Sequence, residues 1–101
     1  MRRRRITIAN KRWTLVSANT REIVQLRGVH GFTTDPAARG RCIVLRGSLR
    51  GKPLLETVIH EVLHASAWPI DEETVTRYAE DLARILWRLG FRQVEDADGT
   101  E

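Results

Sequence analysis

Apolar residues recur with two different periods along this chain, and the change of period falls near its middle. From Arg5 to Ala9, Ile6 and Ile8 alternate with polar neighbours, and from Arg12 to Ala18 the same holds for Trp13, Leu15 and, more loosely, Val16. A period of two marks half-buried β-strands. Asn10-Lys11 between them has the composition of a hairpin turn. A third strand runs from Arg41 to Arg46, where Cys42-Ile43-Val44-Leu45 is bounded by Gly40 and Gly47. The stretch between the second and third strands is less patterned. Glu22 to Leu26 fits a short strand or helix, while Gly28-Val29-His30-Gly31-Phe32 and Asp35-Pro36 signal turns.

Beyond residue 50 the period becomes helical. A first helix starts near Gly51-Lys52-Pro53, since proline is well tolerated at the first helical position. It must end before Pro69, which biases Trp68 away from helical dihedrals. A second runs from about Asp71, a suitable cap, to Leu89, with Gly90 as its stop. Its apolar stripe is Val75, Tyr78, Ala79, Leu82, Ile85, Leu86 and Leu89. These elements predict an α+β domain over residues 1–90: a small antiparallel or mixed sheet of about three strands packed on one helix, then a C-terminal helix. Residues 91–101 are expected to form an acidic, disordered tail.

The first helix carries the chemistry, in the run His60-Glu61-Val62-Leu63-His64. Residues four apart share one side of a helix, so both imidazoles can reach one metal ion. Glu61 sits beside the first of them, placed to take a proton from a coordinated water. Zinc peptidases use this pattern. At about 100° per residue, Leu54, Leu55, Val58, Ile59, Val62, Leu63 and Ala65 form one broad apolar face. His60 and His64 lie roughly opposite, with Glu56, Thr57 and Glu61 beside them. Two histidines and a carboxylate on the polar side of an otherwise apolar helix fit a lined cleft better than a core.

A catalytic zinc takes three protein ligands and leaves a position for water. The metzincin arrangement is excluded, because Ile70 stands where its third histidine would be and Ala67 where its glycine would be. His30, on a glycine-flanked loop, is a candidate for reaching the site. On the second helix Glu72 lies at the margin of the buried stripe, whereas Glu73 and Glu80 point to the far side and Asp71 is accounted for as the cap. Glu72 is therefore the expected third ligand. The competing explanation is that first-turn acids simply complement the helix dipole.

Composition narrows the setting. At 101 residues the chain suits one domain, and no stretch approaches the roughly 20 apolar residues of a membrane span. A single cysteine, Cys42, excludes an internal disulfide and suits a reducing cytosol. It sits in an apolar run and is expected to be a buried thiol rather than a ligand. The basic start Arg2-Arg3-Arg4-Arg5 is too short and polar for a signal peptide, so a cytoplasmic location is expected. The net charge of +4 is concentrated in the first half. Nucleic-acid binding is a minor expectation, since no helix-turn-helix, zinc-finger or stacking-aromatic motif accompanies it.

From Arg41 to Leu89 the chain resembles the small gluzincin peptidases, and is similar to the minigluzincins and the ImmA/IrrE-type domains of phages and bacteria. The resemblance rests on His60-Glu61-Val62-Leu63-His64-Ala65, the connector with Trp68, Asp71-Glu72-Glu73, and Tyr78-Ala79 before a leucine-rich helix. In that group a glutamate opening the following helix is the third ligand, a place Glu72 occupies. The chain departs from the ImmA-like pattern at Val75, where alanine followed by asparagine is usual. The very short connector leaves Glu73 open as an alternative to Glu72.

The resemblance implies a zincin-like fold and a zinc metalloprotease acting on a peptide or protein substrate. His60, His64 and Glu72 would hold Zn²⁺, and Glu61 would be the general base. It also implies that the strand Arg41–Arg46 aligns an extended substrate by edge pairing. An oxyanion or substrate contact still needs a donor, for which Tyr78, His30 and an arginine are the candidates, and the sequence does not choose among them. Two rivals stand beside it: a catalytically silent zinc-binding regulatory module, and a basic nucleic-acid-associated protein.

Overall fold

The computed structural model describes residues 1–94; 95–101, most of the expected tail, lie outside the described residues. Residues 91–94 are exposed and carry no regular secondary structure. Four strands, not three, form one mixed sheet: β1 (Arg2–Ile8), β2 (Lys11–Ala18), β3 (Gly31–Thr33) and β4 (Cys42–Arg46), in the spatial order β1-β2-β4-β3. Helix α1 spans Gly51–Ser66 and α2 spans Glu72–Arg88. No described helix is long and apolar enough to cross a membrane.

The first hairpin is shifted one residue from its expected place. Ile8 pairs with Lys11, so the two loop residues are Ala9 and Asn10, both with positive φ of 50° and 64°. Such a turn follows the right-handed twist of the strands. It suits Asn10 but is unfavourable for alanine, which is why composition alone misplaces it.

After β2 the chain makes a short 3₁₀ turn at Val24–Leu26 and lays down β3 at the far margin of the sheet. It then returns through residues 34–41 into β4, which pairs with β2 in parallel and β3 in antiparallel. This corrects the expected role of segment Arg41–Arg46. With a neighbour hydrogen-bonded on each side, β4 has no edge to offer a substrate; the outermost strand on that side is β3. Its first two residues, Gly31 and Phe32, carry a turn signal in the sequence because glycines stand at 28 and 31.

The period-two pattern sorts side chains onto two faces. Trp13, Ile43 and Leu45 pack with Ala65 of α1, and Ile6, Ile8, Leu15, Leu54, Val58 and Val62 close this layer. On the opposite face Val16, Ala18, Val44 and Leu26 form a second cluster with Ile23, Phe32 and Cys42. Helix α1 thus lies on the first face with its apolar side down, which leaves the histidine side for the second helix to approach. At Gly31, β3 comes so near that an added Cβ would stand 2.7 Å from the Val44 carbonyl oxygen and 3.2 Å from a Thr57 methyl of α1. Only glycine permits this contact, and it brings the rest of β3 up to α1.

Candidate metal centre

The connector after α1 is compact. Ala67 donates its N–H to the Leu63 carbonyl (2.9 Å) and Ile70 to that of Ala67 (3.0 Å). Asp71 then caps α2, its carboxylate accepting the Thr74 N–H at 2.7 Å. That backbone bond, followed by a side-chain bond to Thr74, holds the Asp71 carboxyl below the usual carboxylate range. The cap fixes where α2 starts and so places Glu72, its first residue, over the end of α1.

Three side chains converge there. His60 Nε2 lies 2.8 Å from Glu72 Oε1, and His64 Nε2 lies 2.7 Å from Glu72 Oε2. The two Nε2 atoms are 3.2 Å apart. Each residue offers one ligand atom, and the three atoms lie within 4.8 Å of one another. The imidazoles are mostly covered, with side-chain exposures of 19% and 16%, while the Glu72 side chain is 69% exposed. The Trp68 and His64 rings meet in a T-shaped arrangement with centroids 6.4 Å apart.

The donor set suits a small divalent cation. Ligands about 2.0–2.1 Å from a tetrahedral zinc stand about 3.3–3.4 Å apart, close to the observed nitrogen pair. The Glu72 oxygens sit nearer than that, at hydrogen-bond range. Being on an exposed side chain, they need withdraw only about half an ångström to complete the tripod. Each Nε2 can donate to its own Glu72 oxygen, at 2.8 and 2.7 Å. A cation taking a lone pair from each nitrogen and one from the carboxylate satisfies all three.

Glu61 occupies a different place from its expected one on the polar side. It is buried, 7% exposed, and turned toward β3. The Thr33 hydroxyl lies 2.9 Å from Glu61 Oε1 and 3.0 Å from the Glu61 carbonyl oxygen. Its one hydrogen is thus held by this pair of acceptors. Oε2 has no hydrogen-bond partner among the described residues. One carboxylate oxygen of Glu61, the residue after the ligand candidate His60, is thus anchored by Thr33.

The remaining candidates fall elsewhere. His30 is exposed on the loop before β3, where its carbonyl accepts the Arg46 N–H, and it is not part of the convergent group. Glu73 is likewise outside it. Tyr78 is 47% exposed rather than buried on the core stripe, with the Arg77 guanidinium over its ring. Cys42 is half-buried and packs with the cluster on the other face of the sheet, and burial pushes its thiol pKa up. Thr33 is the functional candidate that the sequence did not reveal. Its signal was the pair Phe32-Thr33 after a glycine, a strand-forming pair too short to register as periodic.

No family model, curated protein or solved structure matches this chain.

Proposed function

We propose that the chain is a zinc-dependent peptidase of the gluzincin type, with His60, His64 and Glu72 as metal ligands and Glu61 as general base. The observation that carries this reading is the convergence of the three ligand atoms, with the residue after His60 a buried, hydroxyl-anchored carboxylate. When bound, zinc supplies a Lewis acid that brings the pKa of a coordinated water to about 7. Glu61 Oε2 takes the proton of the attacking water and delivers it to the amine nitrogen as the C–N bond breaks. Thr33 holds the other oxygen, so the base does not need to be ordered at the moment of reaction. In this reading β3, an outer strand of the sheet, aligns an extended peptide along its free edge.

The test is zinc stoichiometry by native mass spectrometry, combined with hydrolysis of a mixed peptide library. The parent is expected to carry zinc and cleave. Glu61→Gln is expected to retain zinc and lose about 10²- to 10⁴-fold in rate. A zinc-loaded parent that leaves the whole library intact would sink the peptidase reading and favour the silent zinc-binding module.

A further inference from the structure

Helix α2 turns Val75, Ala79 and Ala83 inward and leaves a row of larger apolar residues outward. The first three are buried, whereas Tyr78 is 47%, Leu82 42%, Ile85 51% and Leu89 70% exposed. Monomeric proteins seldom leave a contiguous apolar patch uncovered. The four positions are spaced four, three and four residues apart, which is the repeat of a coiled-coil seam. The other residues of α2 decide what kind of surface this seam meets. Glu72, Glu73, Glu80 and Asp81 are mixed with Arg77, Arg84 and Arg88, unlike the Lys/Arg-rich polar face of a helix that lies on a membrane.

We infer that this face is the seam of a homodimer in which two α2 helices pack antiparallel about a two-fold axis. An isologous contact requires a surface that is complementary to itself, and this one is. With the helices antiparallel, Tyr78 meets Leu89 of the partner subunit and Leu82 meets Ile85 of the partner subunit. The axis generates the same two layers in reverse, so all four positions are covered at once. Asp81 and Arg88 flank the seam on one side, seven residues apart. Antiparallel pairing sets each Asp81 against Arg88 of the partner subunit, giving two opposite-sign contacts. Asp81 now bonds Arg84 at 2.7 Å; a surface pair of this kind is worth little, so the carboxylate can change partners.

Sedimentation velocity on the full chain tests this without any reference to metal or activity. The parent is expected to sediment as a dimer, and Ile85→Glu as a monomer with unchanged far-UV circular dichroism. The Ile85→Glu dissociation constant is expected to rise by on the order of a hundredfold. Asp81→Arg and Arg88→Asp are each expected to weaken the dimer, and the two combined to restore it. A parent that remains monomeric up to about 1 mM, or a dimer indifferent to Ile85→Glu, overturns the seam. A double charge swap that fails to restore association overturns the antiparallel arrangement.

Discussion

If the cation bridges α1 and the first residue of α2, it should stabilise the whole domain and not merely occupy it. A ligand that binds only the folded state adds RT ln(1 + [L]/Kd), about 2.7 kcal/mol at a hundredfold excess over Kd. In a domain of 101 residues, 1 kcal/mol moves Tm by about 4–8 °C. Zinc at that excess should therefore raise Tm by about 10–20 °C. Losing an outer-shell partner alone costs a metal site about 10- to 100-fold in affinity, so losing Glu72 itself should cost at least the upper figure. At the same free zinc the excess then falls to about one, the stabilisation to about 0.4 kcal/mol, and the shift to about 2–3 °C. Differential scanning fluorimetry near neutral pH would follow parent, Glu72→Ala and Glu73→Ala, each against its own chelated baseline. The baselines matter because either glutamate also complements the helix dipole, by about 0.3–1 kcal/mol. Glu73→Ala should keep the full zinc shift. A full shift in Glu72→Ala, or none in the parent, would refute the tripod.

Thr33→Val should leave zinc content and KM unchanged while lowering kcat by about 10- to 100-fold, the worth of a hydrogen bond to a charged group. Thr33→Ser should restore it; a Val variant with the parent's kcat would show that the hydroxyl does not position Glu61. Ala9→Gly relieves a left-handed alanine and should gain about 0.5–1 kcal/mol net of the added chain entropy, read as a Tm increase of about 2–8 °C. Asp71 has a folded-state pKa below its unfolded one, so its contribution is complete above the ordinary value of about 4. That contribution is lost as pH falls through the depressed value. In metal-free protein, acidification should weaken α2 in the parent but less in Asp71→Asn, which caps without titrating. Equal acid loss of helical circular dichroism in both would contradict this.

The helix boundaries could be read because end signals are local. Asp71 caps α2 as its side chain predicts, and Gly90, just past the end, adopts a φ of 96°. The convergence of the candidate ligands was legible for the same reason, as helical phase places His60 and His64 without knowledge of the sheet. What could not be read depends on neighbours distant in sequence. Periodicity gathered Val75, Tyr78, Leu82 and Leu86 onto one stripe, but did not say which edge of it would meet α1. The small residues Val75, Ala79 and Ala83 win, since they let the helix axes approach closely and the larger side chains would hold them apart. The inward turn of Glu61 depends on β3, and β3 on the single spot where Gly31 lets backbone and helix touch.

The three proposed ligand positions fall within a window of thirteen residues, His60 to Glu72, whereas Thr33 lies 28 positions away from the carboxylate it anchors. Contacts so local close quickly, and distant strand pairings come late. If the proposed zinc centre holds, a helical hairpin emerging ahead of the finished sheet would already grip an ion, at a stage when Glu61 is still unheld. Loading and competence would thus be separate events in the life of each molecule, and a variant crippled in strand assembly could purify fully metallated yet inert.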